Sequence, residues 1–497
     1  MHVADTPAPA VRLVERGTPP ACDAVVVGVL SGPNGSLRLA PGAREVDAVL
    51  GRRLLDALQA AGATGRGDEV IKIPTLGRAP FGLVLAAGVG DTLHAESARR
   101  AVGAALRSAK AQASVHVSID APVDALVEGA LLGSYAFTAY KSNGPARQLR
   151  RVSIAGDIDT DARAALRRAR IVATAVNRAR DLVNTAPNDL YPETFATQAV
   201  ELADAAGLQS EVLDTKALAR GGYGGILAVG GGSARAPRLV RIAYTPRRAL
   251  ASVALVGKGI TYDSGGLNLK TANLSWMKSD MGGAAAVLSA TLAAAALRLP
   301  IAVTATIPMA ENMPSGSAYR PSDVLTMRSG RTVEVADTDA EGRLVLADAM
   351  SRALEDEPDH LIEISTLTGA QLVALGPRVI GAMGEVGLRD RVVRTASAAG
   401  ESVWAMPLTD DLRTTLDSPV ADVVNVAGER WGAMLVAGHF LAGFVPNGQS
   451  WVHLDIAGPA WNAAGARDYT PKGGTGAGVR AILATLVDLA GPDRRRG

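Results

Sequence analysis

The chain has 497 residues, of which 48% are hydrophobic and 20% are charged. This length exceeds one ordinary domain and supplies enough apolar material for large cores, so we expect two domains. Fifty-one basic and 49 acidic side chains leave a formal charge of +2, which gives no general reason to expect a nucleic-acid partner.

The first third alternates short β-branched runs with helical segments, a pattern typical of an α/β domain. Helices are predicted near His94–Ala111 and Val123–Tyr140, and the Gly88-Val-Gly90 stretch is interpreted as a turn. The predicted strands are Ala24–Leu30, Val70–Ile73, Phe81–Ala87, Val115–Ile119 and Val152–Ile154. The only cysteine, Cys22, excludes an intramolecular disulfide and favours a reducing compartment, which we expect to be the cytoplasm.

A helix rich in Ala and Arg is predicted from Asp159 to Leu182, and Pro187 and Pro192 follow it. We interpret it as a linker helix, with an N-terminal α/β domain of macro-domain-like fold at 1–158, the linker at 159–183 and a larger catalytic α/β domain at 184–497. The second domain is expected to have a central mixed sheet. Its predicted strands are Leu239–Tyr244, Val253–Val256, Ile301–Ile307, Thr332–Val335, Leu361–Ile364 and Trp451–Ile456.

Two features bear on membrane association. The N-terminal segment is interrupted by charged residues and prolines, so no secretory signal is expected. The stretch from Gly282 to Pro308 is alanine-rich but broken by Arg298 and Pro300. It predicts a buried helix followed by a strand rather than a membrane span.

Charged residues cluster after two predicted strands. Lys258, Asp263 and Lys270 are expected in a loop past the carboxyl end of Val253–Val256, where open α/β sheets commonly place their sites. A second group follows Thr332–Val335 and precedes the helical run Leu344–Leu354. It consists of Asp337, Asp339, Glu341 and Arg343.

These residue types suit a centre of two divalent ions. Hard cations prefer oxygen ligands, and two adjacent ions need bridging carboxylates to offset their repulsion. A lysine next to a metal must lose its proton to coordinate, whereas one slightly farther away stays charged and polarises a substrate carbonyl, so Lys258 and Lys270 suit different roles. The four acids that would neutralise two dications are Asp263, Asp280, Asp339 and Glu341.

Other catalytic patterns are missing from the sequence. It has no His-Glu-x-x-His pair, no phosphate-binding loop and no Gly-x-Ser-x-Gly elbow. Two further classes stay open beside a peptidase. One is a binding or scaffold protein, which loss of a metal ligand would have favoured. The other is a two-metal phosphoesterase, which would need more basic residues near the motifs than Lys270 and Arg343.

Three segments resemble the leucyl (cytosol) aminopeptidase family. They are Val256-Gly-Lys-Gly-Ile-Thr-Tyr-Asp-Ser-Gly-Gly, Met277-Lys-Ser-Asp-Met-Gly-Gly-Ala-Ala-Ala-Val and Thr338-Asp-Ala-Glu-Gly-Arg-Leu. Weaker matches extend the resemblance from about 184 to 480. It implies an aminopeptidase that hydrolyses N-terminal leucine or other apolar residues from peptides by means of a metal-bridging water, in a homohexamer. No membrane partner is expected, and the near-neutral charge argues against a nucleic-acid partner.

The resemblance also implies residue roles. Lys258, Asp263, Asp280 and Glu341 would hold one ion, and Asp263, Asp339 and Glu341 the other. Lys270 and Arg343 would be the catalytic side chains, with a bicarbonate ion held by the arginine. Mn²⁺ and Zn²⁺ are the expected metals, although oxygen ligands with one lysine also suit Mg²⁺ and Co²⁺.

Substrate-binding residues follow from the same resemblance. Met277, Thr366 and Gly369 match positions that line the first side-chain pocket, and a flexible thioether suits apolar residues, although core packing would also explain Met277. The backbone carbonyl of Leu367 would hold the peptide in register. The chain departs from the family at Asp337, where Asn is common, so an extra acid is expected beside the site.

Overall fold

The structure is a computed structural model that describes residues 8–109, 111–142 and 149–491. These residues form two compact units, each with its own sheet. One contains residues 8–177 and 464–472, and the other contains 178–463 and 473–491. The expected two-domain α/β architecture is confirmed.

The N-terminal unit is built on a seven-stranded sheet. Its strand order is β1-β7-β6-β2-β5-β4, with β3 paired to β2; the first five of these strands are mutually parallel, and β4 and β3 are antiparallel to their neighbours. The elements are β1 (Ala10–Val14), β2 (Cys22–Ser31), β3 (Leu37–Leu39), α1 (Arg44–Val49), α2 (Leu54–Ala60), β4 (Val70–Pro74), β5 (Phe81–Gly90), α3 (Ala95–Ser108), β6 (Ser114–Ser118), α4 (Val123–Gly133), β7 (Arg151–Ala155) and the start of α5 (Thr160–Asn184).

The five strands predicted for this unit and the helix predicted near His94–Ala111 are confirmed, but two other expectations were wrong. The Gly88–Gly90 stretch continues β5 instead of forming a turn. Glycine is needed at position 88 because the backbone of Arg66 passes close to the strand, and a Cβ at Gly88 would lie 1.9 Å from the Arg66 carbonyl oxygen. Helix α4 stops at Gly133 instead of continuing to Tyr140. Phe137 and Tyr140 have helical spacing, but their rings contact each other outside the helix, with centroids 5.8 Å apart.

The larger unit is built on a nine-stranded mixed sheet, as predicted. Its order is β17-β16-β19-β15-β10-β12-β9-β8, with β11 paired to β12. The elements are α6 (Pro192–Ala205), β8 (Gln209–Leu213), α7 (Thr215–Arg220), α8 (Gly224–Gly230), β9 (Arg238–Tyr244), β10 (Ser252–Gly257), β11 (Gly259–Asp263), α9 (Gly282–Ala296), β12 (Ala302–Asn312), β13 (Val324–Thr326), β14 (Thr332–Glu334), α10 (Gly342–Leu354), β15 (His360–Ser365), α11 (Gly369–Leu375), β16 (Ile380–Gly384), α12 (Val386–Ala398), β17 (Val403–Ala405), α13 (Asp410–Arg413), β18 (Val423–Val424), α14 (Ala433–Ala442), β19 (Ser450–Asp455), β20 (Trp461–Asn462), β21 (Gly473–Gly474) and α15 (Val479–Leu489).

The four central strands β12, β10, β15 and β19 are parallel, so their carboxyl ends meet at one edge of the sheet. Helices cover both faces of this sheet. The side chain of Ile364 lies against Gly478 at the start of α15. Leu361, whose side chain points to the opposite face of the strand, belongs to the core formed with α10 and α14. The edge is therefore the place where polar side chains from several strands can converge.

One part of the expected site loop is instead a strand. Residues Gly259–Asp263 form β11, which runs parallel to the end of β12, so Asp263 is the last residue of a strand and not part of a free loop. Pairing with β12 gives the Asp263 backbone a fixed register opposite Asn312. Lys258 does lie between β10 and β11, as predicted, and Lys270 follows in the connection to Asp280.

The alanine-rich stretch forms helix α9, which is buried along nearly its whole length, followed by β12. Among the described residues, no helix has the length and apolar character needed to cross a membrane. The linker and domain bounds given above stay a prediction. The compact units are not continuous in sequence. Residues 464–472 belong to the N-terminal unit, and the chain then returns to the larger unit.

Candidate active site

Lys258 lies between two acids at the carboxyl end of β10. Its Nζ is 2.8 Å from Oδ2 of Asp280 and 2.7 Å from Oε1 of Glu341, and it also donates to the carbonyl oxygen of Thr366 at 3.1 Å. The backbone makes room for this side chain, because a Cβ at Gly342 would lie 2.5 Å from Nζ. Three segments that are distant in sequence thus meet at one buried ammonium group.

Lys270 forms a second bridge of the same kind. Its Nζ is 2.7 Å from Oδ2 of Asp263 and also forms an ion pair with Asp339. One oxygen atom from each of Asp263, Asp339 and Glu341 lies within 4.8 Å of the others. The structure therefore brings together the two lysines and four acids that the sequence analysis singled out.

The electrostatics of this cluster favour the binding of cations. Burial and the charge of Glu341 raise the pKa of Asp263, and burial with Asp263 and Glu341 raises the pKa of Asp339 to about 7. Burial alone would lower the pKa of Lys258, but Asp280 and Glu341 outweigh that effect and raise it. Four acidic side chains crowd around two ammonium groups, and this crowding disfavours their ionised forms, so cations placed among them would stabilise the carboxylates.

This donor set fits divalent metal ions. Carboxylate oxygens are the ligands that hard divalent cations prefer, and a pair of such ions would relieve the repulsion among the four acids. The residues that would hold them are Asp263, Asp280, Asp339, Glu341 and Lys258. Their assignment as metal ligands stays a prediction.

A layer of uncharged polar groups fixes the acids, and sequence reasoning missed it. The Nδ2 of Asn312 donates to Oδ1 of Asp263 at 2.8 Å and to the carbonyl oxygen of Thr338 at 3.0 Å. Tyr319 donates its hydroxyl to the same Thr338 oxygen at 2.7 Å. Strand β12 continues to Asn312, five residues beyond the predicted strand Ile301–Ile307, so no local pattern indicated this residue.

Arg343 is buried at the start of α10, near the acids. Its Nη1 donates to the carbonyl oxygen of Asn425 at 2.6 Å, and the guanidinium carbon lies 5.9 Å from the centre of the Phe440 ring. Its Nε has no hydrogen-bond partner in the described part of the chain. Burial lowers the pKa of Arg343 to about 10, against the opposing charges of Glu341, Asp337 and Asp455, so the arginine stays charged and can accept an anion.

Asn425 was also missed by sequence reasoning. Its side chain binds the backbone of Ala336 and Asp337, just before Asp339 and Glu341. Its Oδ1 accepts from the backbone amide of Ala336 at 2.8 Å, and its Nδ2 donates to the carbonyl oxygen of Asp337 at 2.7 Å. Asp337, the acid that departs from the family pattern, accepts from the backbone amide of Asp339 at 2.8 Å. An asparagine side-chain oxygen can make the same bond, so this local geometry tolerates either residue.

The four predicted substrate-binding residues lie on two segments next to the acids. Met277 is in the 3₁₀ turn Leu274–Ser279 that leads into Asp280, and it is half-buried. Thr366, Leu367 and Gly369 follow β15, and the hydroxyl of Thr366 donates to Oδ1 of Asp280 at 2.7 Å. Thr366 is buried, Leu367 is half-buried and Gly369 is exposed. Their roles in binding stay predictions.

Comparisons with known proteins agree with this arrangement. The family model for the catalytic domain of the cytosol aminopeptidase family matches residues 177–483, and the model for its N-terminal domain matches residues 26–144. A probable cytosol aminopeptidase of Rhodococcus erythropolis is 49% identical over 479 residues, covering 94% of each chain. Another from Nocardia farcinica is 49% identical over 490 residues, covering 95% of this chain and 96% of its own.

Two solved structures are similar over almost the whole chain. The bottromycin maturation enzyme BotP in complex with Mn has a TM-score of 0.83 and 37% identity, covering 95% of this chain and 100% of its own. A lysine-to-glutamate mutant of tomato leucine aminopeptidase has a TM-score of 0.87 and 29% identity, covering 97% of both chains. Because both domains match in order and about half of the residues are shared with the curated relatives, the chain belongs to the cytosol aminopeptidase family of metallo-aminopeptidases.

Proposed function

We propose that this metallo-aminopeptidase removes leucine and other apolar residues from the N-termini of peptides with the help of two divalent ions. The observation that carries the proposal is the pair of lysines, each bridging two members of a four-acid cluster at the carboxyl edge of the sheet. Buried charges are costly unless they are paired or bind a ligand, so a cluster of this size at the carboxyl edge of the sheet supports a catalytic role more than a structural one.

The proposed ligands are Lys258, Asp263, Asp280 and Glu341 for one ion and Asp263, Asp339 and Glu341 for the other. When bound, such ions polarise a substrate carbonyl and lower the pKa of a water between them. Mn²⁺ is the first candidate because the similar BotP structure contains Mn, and Zn²⁺ is the second.

The remaining charged groups have separate tasks in this proposal. Lys270 is held by Asp263 and Asp339, so its ammonium group can stabilise the negative charge that develops on the carbonyl oxygen during attack. Arg343 would orient a bicarbonate ion as proton acceptor. Its buried charge and its unpartnered Nε support that role.

Apolar selectivity would come from the segments beside the acids. The flexible thioether of Met277 would adapt to apolar side chains, and Thr366 and Gly369 would add little bulk to the same pocket. The Leu367 carbonyl would accept a hydrogen bond from the peptide backbone. We also propose that the protein is cytoplasmic and forms a homohexamer. Light scattering tests the hexamer, for which the expected mass is six times that of one chain.

The test is hydrolysis of a leucine chromogenic amide by metal-stripped protein, before and after Mn²⁺ or Zn²⁺ is added. Restored cleavage of the free amine, with no cleavage of an N-acetylated analogue, is the expected result. A comparison of Leu, Met, Asp and Lys amides measures the apolar preference. Folded protein that stays inactive with each metal would contradict the proposal.

A further inference from the structure

Asp455 is a fully buried acid that the proposed mechanism does not use. It is the last residue of β19 and lies opposite Ser365, the last residue of β15, in the parallel pairing of these strands. The predicted substrate-binding residues begin immediately after Ser365. Asp455 is therefore adjacent to them, although its strand β19 is two strands away from β10, after which Lys258 lies.

The Asp455 carboxylate accepts hydrogen bonds from three groups. Oδ1 accepts from the backbone amides of Leu367 at 3.2 Å and Ala457 at 3.1 Å, and Oδ2 accepts from the hydroxyl of Thr368 at 2.8 Å. A carboxylate is buried at low free energy only when such donors replace water. Two of the three donors belong to the segment that follows β15.

Thr368 extends this connection into helix α11. Its Oγ1 also accepts from the backbone amide of Gln371 at 3.0 Å, which caps the helix. The side chain of Gln371 accepts from the amide of Gly458 at 2.6 Å and donates to the carbonyl oxygen of Val379 at 2.7 Å. The result is a buried polar network that joins the ends of β15 and β19.

The other end of the segment is tied to the metal-site residues. The carbonyl oxygen of Thr366 accepts from Lys258, and its hydroxyl donates to Asp280. Thr366 is thus fixed on the side of the acids, and Leu367 and Thr368 are fixed on the side of Asp455. The position of the Leu367 backbone relative to the acids depends on both anchors.

Two basic side chains, His453 and Arg343, lie near the Asp455 carboxylate. His453, two residues earlier on the same face of β19, forms an ion pair with Glu363 of β15, and both side chains are fully buried. Burial raises the pKa of Asp455, and the charge of His453 opposes that effect. Arg343 also lies close enough to interact with Asp455 electrostatically.

We infer that Asp455 is a positioning residue for peptide binding, which holds the segment Thr366–Gly369 in register with the metal-site residues through Leu367 and Thr368. The inference rests on the proposed function, because it assumes that this segment contacts the peptide. An anchor of this kind contributes to binding by removing the freedom of the segment before the peptide arrives. The contact acts equally on bound substrate and transition state, so its loss should raise KM more than it lowers kcat.

The test compares Thr368→Val with Thr368→Ser. Valine keeps the shape of the side chain but removes the hydroxyl that donates to Asp455, whereas serine keeps that hydroxyl. For a leucyl peptide we expect Thr368→Val to raise KM about tenfold, the equivalent of one broken hydrogen bond to a charged group, with kcat within about twofold of the wild type. Thr368→Ser should restore a KM close to that of the wild type.

Asp455→Asn tests the same bond from the other side, because it leaves the Thr368 cap of α11 in place. Like Thr368→Val, it should raise KM, and it should also speed the amide hydrogen exchange of residues 366–369. Metal content and melting temperature are measured for each variant. A role in folding alone would lower the melting temperature and leave KM unchanged.

Unchanged KM in both Thr368→Val and Asp455→Asn would overturn the inference, as would a loss of kcat with KM preserved. These results require an active wild-type enzyme. A wild-type enzyme without activity in the presence of either metal would instead refute the proposed function, so the two failures are distinguishable.

Discussion

Oε1 of Glu341 lies 2.7 Å from Nζ of Lys258, and both side chains are buried. The contact joins the end of strand β10 to the start of helix α10. Glycine at position 342 is required for it, since a side chain there would collide with the lysine. Glu341 is also one of the three acids whose oxygen atoms lie within 4.8 Å of one another. It is therefore common to both halves of the charged cluster.

Glu341→Ala should abolish hydrolysis while the protein stays folded. Loss of an outer partner of a metal ligand typically costs roughly 10–100-fold in affinity or activity, and removal of a shared ligand should exceed that. The measurements are turnover of a leucine amide and bound metal by elemental analysis. Glu355→Ala, at the other end of the same helix, should leave both values unchanged. Near-normal turnover in Glu341→Ala would refute the site assignment.

Asn312→Ala tests the polar layer behind the acids. The Asn312 amide donates to Asp263 and to the Thr338 carbonyl oxygen, so its loss frees the Asp263 carboxylate to rotate. We expect metal affinity to fall roughly 10–100-fold, with activity recovering at high metal concentration. Activity measured at increasing metal concentrations tests this loss of affinity. Asn188→Ala, at an exposed position, is the matched control.

The contrast between Glu341 and Asn312 shows what the sequence could predict. Glu341, Asp339 and Arg343 form a dense charged motif next to a short strand, and charges at the end of a buried strand are informative by themselves. Asn312 and Asn425 are uncharged, isolated in sequence and 26 and 88 residues from the groups they bind. Their roles depend on which strands become neighbours, and no local pattern specifies that.

Dependence on tertiary contacts also explains the errors in the predicted fold. Strands β10, β12, β15 and β19 are buried apolar runs, so they were recognised. Strand β11 has the sequence Gly-Ile-Thr-Tyr-Asp and follows β10 with only Lys258 between them, so its pairing with β12 is what defines it as a separate strand. Tertiary context also decides that residues 464–472 lie with the N-terminal unit.

Arg343→Ala should have a milder effect than Glu341→Ala. If the guanidinium orients a bicarbonate ion, water can partly replace the lost proton acceptor, so kcat should fall while KM changes little. The measurement is kcat for a leucine amide in carbonate-free buffer and after bicarbonate is added. Wild-type enzyme should be stimulated by bicarbonate, and Arg343→Ala should not respond. Complete inactivation of the variant would mean that Arg343 has a larger role than proton-acceptor orientation.

The last prediction concerns the pH dependence of the N-terminal unit. His116 is buried in β6, its Nδ1 lies 2.9 Å from the hydroxyl of Ser153 on β7, and burial lowers its pKa to about 4. An unfolded chain would bind a proton at this residue near pH 6.5, so between pH 6.5 and 4 the unfolded state holds more protons than the folded state. His116 therefore does not reduce the free energy of unfolding above pH 6.5. As the pH drops towards 4, protonation of the unfolded chain at this residue lowers the free energy of unfolding by at most about 3 kcal/mol.

His116→Phe removes the titrating group but keeps a ring in the core. It also loses the hydrogen bond to Ser153, so the variant should be less stable at pH 7, yet its stability should change less between pH 6.5 and 4. Hydrogen exchange of the β6 and β7 amides in the full-length protein, corrected for the intrinsic pH dependence of exchange, measures this difference. Carboxylates titrate in both proteins, so only the difference between the two pH profiles reports on His116. Parallel profiles would show that the imidazole takes up its proton equally in the folded and unfolded chain, which its burial between two strands of a sheet argues against.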